Sequence, residues 1–298
     1  MKKFMKNAFI ATAFILSGIM ISCGSTPKRE MKITLVYSTA TEMLESANSS
    51  ILSGDYEKAT YFLTNAYNQA MTIDNYELLT SICLANVSLS LSYNPPLIHE
   101  AEKQLAKARI FAKHSSDAEK SEALCTLSEV RIQIKNEGTD LSRLLEKLEK
   151  NEKYIKDDKY ASAQFSSAHG DIYKAMNNYS QAEAAYEQAA KLYTDNRYLA
   201  EIGITWYKIA QVRSLNNKKQ NALDALDKAI FYDREAENTL ALGTDYYVKG
   251  IILLKGNPTV EEKAEAKFAF EHSADIFSAA GNGMEEMAAK SRKAAEEI

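Results

Sequence analysis

The clearest periodicity in the chain lies in residues 163–193, AQFSSAHGDIYKAMNNYSQAEAAYEQAAKLY. Tyr179, Ala182, Tyr186 and Ala189 follow one another at steps of three, four and three, which places their side chains on one face of an α-helix. A first helix carrying Gly170 and Tyr173 precedes them, and Asn177-Asn178 marks the turn between the two. The unit predicts a pair of helices. The same order recurs as Ala47, the turn Gly54-Asp55-Tyr56, then Ala59, Leu63 and Ala66. It recurs again as Trp206 and Ala210, the turn Asn216-Asn217, then Ala222, Leu226 and Ala229. In a fourth copy, Gly250 is followed by a longer turn at Gly256-Asn257-Pro258 and then by Ala266, Phe270 and Ser273. Two copies are more degenerate. One has Leu84-Ala85, the turn Tyr93-Asn94-Pro95-Pro96, and Ala101, Leu105 and Ala108. The other has Leu127-Ser128, the turn Asn136-Glu137-Gly138, and Leu141, Leu145 and Leu148.

The second-helix anchors Ala59, Ala101, Leu141, Ala182, Ala222 and Ala266 stand 42, 40, 41, 40 and 44 residues apart. Amphipathicity explains the three-and-four spacing inside one helix. It does not explain a recurrence at this longer period, which is the signature of a repeat array. The small residues would lie where the two helices of a pair cross, because Gly170 or Ala182 leaves no bulk between the backbones. The pattern resembles the tetratricopeptide repeat and spans roughly residues 33–280. The resemblance implies an all-α, right-handed helix-pair solenoid of about six repeats, with a repeat domain over 33–282. Residues 283–298, GMEEMAAKSRKAAEEI, read as a polar C-terminal capping helix of the kind such arrays need for solubility.

The first 22 residues follow a different rule. Lys2, Lys3 and Lys6 precede an apolar run from Ala8 to Ile21 of 14 residues. That run is shorter than the ~20 residues a membrane-spanning helix needs and matches a signal-peptide core. It ends Met20-Ile21-Ser22-Cys23, which resembles the lipobox of bacterial lipoproteins, although Met20 departs from the usual leucine. The resemblance implies cleavage before Cys23, acylation of its thiol, and a short polar tether over 23–32. The expected location is a membrane-anchored lipoprotein on the periplasmic or cell-surface side, with the choice of membrane left open.

Composition agrees with helices: only 11 Gly and 4 Pro occur among 298 residues. Formal net charge is −4, and the expected mature chain is more acidic because the segment it loses carries three lysines and no acid. An acidic body is a poor nucleic-acid partner, since phosphate binding needs a basic face. The four histidines His99, His114, His169 and His272 have no metal-ligand spacing, and no phosphate-binding loop or nucleophile elbow occurs. No metal, cofactor or catalytic residue is therefore expected. Cys83 and Cys125 sit on first helices of neighbouring repeats. They are either small core hydrophobes or, in an exported protein, a disulfide pair.

In the family that the repeats resemble, the first helices line the concave side, which binds partners. One residue past each small crossing position come Asn48, Asn86, Glu129, Asp171 and Gln211. With Tyr207 and Tyr247, placed three residues before it, they form the expected partner-binding groove. Leu44 stands where a carboxylate clamp would need lysine, so that clamp is excluded. The leading expectation is an interaction adaptor for other envelope proteins, held at the bilayer through acylated Cys23. Known lipoproteins of this kind serve envelope assembly, protease or hydrolase recruitment, or transporter association. The alternative is a small-ligand-binding lipoprotein accessory to a solute transporter.

Overall fold

The structure, a computed structural model, describes residues 34–136, 138–281 and 283–298. The expected signal peptide over 1–22, Cys23 and the tether over 23–32 lie outside the described residues. The described residues form helices and no strands. Six consecutive antiparallel pairs follow one another: α1 (Leu35–Ser53) with α2 (Tyr56–Thr72), α3 (Tyr76–Ser92) with α4 (Ile98–Ala112), α5 (Ala118–Gln133) with α6 (Leu141–Glu152), α7 (Lys159–Ala175) with α8 (Tyr179–Asp195), α9 (Leu199–Leu215) with α10 (Lys219–Glu235), and α11 (Thr239–Leu253) with α12 (Val260–Ala280). A last helix, α13 (Glu285–Glu296), packs on α12. Each helix contacts chiefly its neighbours in sequence, which is the contact pattern of a solenoid. None of the described helices is long and apolar enough to cross a membrane.

Local chemistry sets the boundaries. Asp55, Asn75, Asp117, Asp140, Asp158, Asn238 and Thr259 each cap a helix by accepting a backbone N–H from its first turn. Between helices the chain reverses through left-handed residues. Asp74, Asn177, Arg197, Asn217 and Glu237 have φ between 50° and 62°. The α1–α2 turn needs its glycine twice over. Gly54 has φ +80°, and a Cβ there would stand 2.7 Å from Met284 Cε and 3.2 Å from Leu240 Cδ2. That contact also means the array curves until its first turn touches its last repeat and the start of α13.

The crossing of each pair is a volume match. A Cβ on Gly170 would fall 2.4 Å from the Tyr186 ring, and one on Gly250 would fall 2.7 Å from the Phe270 ring. Elsewhere the same two positions hold Ala47 with Leu63 and Ala210 with Leu226, all essentially inaccessible. At these four crossings glycine faces an aromatic ring and alanine faces leucine, so a smaller residue on one helix is matched by a larger one on the other.

The burial pattern also corrects the register of the two degenerate repeats. The buried set of α5 maps onto that of α7 with a shift of 40 residues, Cys125 onto Phe165, Val130 onto Gly170 and Ile132 onto Ile172. That of α3 maps with a shift of 83, Ile82 onto Phe165 and Val87 onto Gly170. The crossing residues of these repeats are therefore Val87 and Val130, not Ala85 and Ser128. In α6 the buried leucines are Leu144 and Leu148, whereas Leu141 and Leu145 are half-buried, a shift of three from the expected anchor. The physical reason is the volume match. Val87 shares a core cluster with Leu105, and Val130 shares one with Leu148. A search for small residues passes over a valine in favour of its small neighbours.

Cys83 and Cys125 are both buried free thiols in one cluster with Val87, Leu105 and Ile132. Burial pushes the two thiols up to about 11 and about 12, the range of inert structural cysteines.

Candidate functional site

The register fixes which residues face the inside of the curve. Positions six and three before the crossing residue, and one after it, lie on one helical face. They are Leu44 and Asn48 in α1, Ser81, Leu84 and Ser88 in α3, and Leu124, Leu127 and Arg131 in α5. Gln164 and Ser167 of α7 and Ile204 of α9 continue the row. Together with Ile51, Leu52, Tyr160, Tyr193, Glu201 and Lys208 they line a half-open cavity of about 410 Å³. Leucine and isoleucine form most of its apolar wall, and serines and amides interrupt it.

Most charges around this cavity are already paired. Lys208 Nζ donates to Asp171 Oδ2 at 2.9 Å and to Ser167 Oγ at 3.0 Å. Asp158 meets Lys120 Nζ at 2.8 Å and caps α7. Glu201 accepts the Tyr160 hydroxyl at 2.9 Å. Arg131 has no carboxylate within ion-pair distance among the described residues. Burial, helped by the Glu201 charge and opposed by that of Arg131, holds the Tyr160 and Tyr193 phenols above their ordinary value.

Of the seven residues expected in the groove, Asn48 lines the cavity. Asn86 turns its amide back to the Ile82 carbonyl at 3.0 Å and lies one residue before the crossing. Glu129 also lies one residue before it, and binds Arg109 of α4 and Lys147 of α6, on the second-helix side. The corrected register puts Ser88 and Arg131 where Asn86 and Glu129 were expected. Asp171 is a buttress: it accepts the Tyr186 hydroxyl at 2.7 Å and binds Lys208. Burial opposes its charge, but Lys208 and Tyr186 outweigh burial and hold its carboxyl below the ordinary range. Gln211 accepts from Lys174 Nζ at 3.2 Å. Tyr207 packs half-buried on the C-terminal core. Tyr247 lies 5.3 Å from the Phe270 ring with Lys290 Nζ 4.8 Å above it, beneath α13. Tyr207, Gln211 and Tyr247 hold the same positions relative to Ala210 and Gly250 and so lie on the same inner face, beyond the residues that line the cavity. His169 is half-buried, with Nδ1 3.3 Å from Glu152 and its ring stacked on Tyr173.

Glu129 belongs to a recurrent device. The position just before the crossing carries Lys249 in α11, which joins Asp227 of α10 to Glu265 of α12 as Glu129 joins α4 to α6. Its charge-assisted bonds predict that Glu129→Gln costs ~1–2 kcal/mol near pH 7. Arg109 and Lys147 outweigh burial and lower the Glu129 pKa, so this contribution is present above the unfolded value and lost as pH falls through the folded one. Urea unfolding of the two proteins is expected to differ at pH 7 and to converge only as pH falls below the unfolded carboxylate value, ~4.3, and through the lowered folded one.

One buried pair has no counterpart elsewhere. Asp233 of α10 and Asp245 of α11 are 0% and 1% exposed. Asn238 Nδ2 donates to Asp233 Oδ1 at 3.2 Å, and a Cβ on Gly203 would fall 2.5 Å from the Asp233 carboxyl. Among the described residues, neither oxygen of Asp245 nor Asp233 Oδ2 has a hydrogen-bond partner. Burial raises the pKa of both carboxyls, so a proton held between them would satisfy the pair. Among the described residues, no group of three or more His, Cys, Asp or Glu side chains is placed to hold a metal.

With this geometry in place, comparisons with known proteins define a class by fold. No protein-family model matches the sequence, and no curated protein matches it. Among solved structures, the apo form of RapI aligns with a TM-score of 0.50 at 11% identity, over 87% of this chain and 99% of that one. A signal-transduction ATPase with numerous domains (STAND) that carries a tetratricopeptide repeat sensor, from Pyrococcus horikoshii, aligns with a TM-score of 0.52 at 15% identity. That alignment covers 87% of this chain and 42% of the other. The chain is an all-α solenoid of tetratricopeptide-like helix pairs.

Proposed function

We propose that the protein is a lipoprotein, anchored by acylated Cys23 on the extracytoplasmic side of a bacterial membrane, that works as a non-catalytic interaction adaptor for other envelope proteins. The basic start, the 14-residue apolar run and Ser22-Cys23 support the anchor. The observation that carries the adaptor reading is the inner face. Leu84, Leu124 and Arg131 present half-buried apolar and cationic groups along it, and Arg131 has no ion pair or hydrogen bond among the described residues. A second reading, binding of a small ligand, is favoured by the half-enclosed shape of the same cavity.

Metabolic labelling with an alkyne palmitate tests the anchor: the native chain is expected to take the label and to fractionate with membranes, and Cys23→Ser to do neither. Adaptor function is tested in the native envelope with a photoreactive residue at Ser88 and, as a control on the outer face, at Tyr61. A stoichiometric protein cross-linked from Ser88 and not from Tyr61 supports the reading. Recovery of the protein alone from both sites removes it. Asp171 and Tyr207 are unsuitable probes, because one is tied into Lys208 and Tyr186 and the other into the core.

A further inference from the structure

We infer that the inner cavity binds an amphiphilic carboxylic acid, with the carboxylate on Arg131 and an alkyl or aryl body along the leucine wall. The inference rests on the small-ligand reading of this cavity and names its ligand class. Size is the first argument. A cavity of about 410 Å³ falls within the ~300–1,000 Å³ typical of small-molecule sites. Charge is the second. Asp158 is held by Lys120, Glu201 by Tyr160, and Lys208 by Asp171 and Ser167, so the carboxylates and the lysine have their partners inside the fold. Arg131 alone among the cavity's charged groups has neither an ion pair nor a hydrogen bond within the described residues. A half-buried guanidinium costs solvation that an anion restores, and its planar fork suits a carboxylate. The wall is the third. Leu44, Leu84, Leu124, Leu127 and Ile204 line the cavity without a second free charge, so the complementary molecule has one anionic end and an apolar remainder.

The test uses the full chain in lipid nanodiscs and three photoreactive probes of one chain length: a diazirine-bearing octanoate, the corresponding amine and the corresponding alcohol. Labelled peptides are located by mass spectrometry. The acid is expected to label α3 and α5 at concentrations at least tenfold below the amine and alcohol, and to be displaced by plain octanoate. Arg131→Gln is expected to abolish the preference for the acid, and Arg131→Glu to reverse it towards the amine. The reversal is a gain that only a folded cavity can give. Labelling outside the cavity, equal labelling by the three probes, or a preference unchanged in both variants overturns the inference. Its failure is distinct from failure of the adaptor reading: Ser88 cross-links to a protein that persist when octanoate does not label leave the adaptor standing and remove the ligand.

Discussion

Replacing Asp245 by asparagine is expected to raise stability at pH 8 by on the order of 2 kcal/mol and to flatten the pH dependence above neutrality. The argument starts from position. Asp245 stands five residues before the crossing of its pair, where other repeats hold Ile82, Cys125, Phe165 and Thr205. Asp233 stands where other second helices hold Tyr193 and Phe277. Both carboxyls are thus fixed in layers built for uncharged groups. Burial raises both pKa values, and the charge of Asp233 adds to the effect at Asp245. Unfolded aspartates titrate near pH 4, so from about pH 4 up through the raised folded values the folded protein holds more protons than the unfolded chain. Stability from this pair is therefore fully present in acid and falls as pH rises through that window. An asparagine at 245 can donate to the Asp233 carboxylate without a shared proton, which removes the penalty. Urea unfolding of both proteins at pH 5, 7 and 8.5 measures the difference. A difference that grows with pH supports the shared proton, and one constant across the three values overturns it. Carboxylates with lowered pKa, such as Asp171 and Glu183, act oppositely in acid, but they are common to both proteins and cancel in the comparison.

The helix pairs were legible because their signals are local. Asn177-Asn178 and Gly54-Asp55 break the helices, and alanine at steps of three and four marks the packed face. Register was legible only where the crossing residue is small. Gly170, Ala210 and Gly250 announce themselves, whereas Val87 and Val130 look like ordinary core residues beside Ala85 and Ser128. The cost of that slip fell on the site. A shift of two residues turns a helix by more than half a turn, enough to exchange Arg131 for Glu129 on the inner face. Matching the α5 pattern to α7 over the whole helix, rather than at one residue, was the signal that could have found Arg131. The Asp233–Asp245 pair was beyond reach. Each aspartate reads alone as a solvated charge, and they meet only because α10 and α11 pack.

The crossing volumes yield the second large effect. Gly170→Ala drives a methyl to 2.4 Å from the Tyr186 ring, and overpacking of this kind costs ~1–3 kcal/mol, less a gain of ~1 kcal/mol in helix propensity. Tyr186→Leu removes ring contacts at a fully buried site and the hydroxyl that Asp171 accepts, a loss of ~2–4 kcal/mol. The double variant recreates the Ala210–Leu226 and Ala47–Leu63 crossings, in which alanine meets leucine without strain. The methyl then fills part of the space that the ring leaves. The double variant is expected to be more stable than Tyr186→Leu alone, with a favourable coupling of ~1–2 kcal/mol between the two changes. It stays below the native protein, because Asp171 keeps Lys208 but loses Tyr186. Urea unfolding, with amide exchange followed in α7 and α8, measures the cycle. Additive losses would mean that the two helices find their distance by contacts elsewhere along α7 and α8. A favourable coupling would mean that the crossing residue sets it, and that the interchange of Gly with aromatic and Ala with Leu is how one spacing of helix pairs is kept through the array.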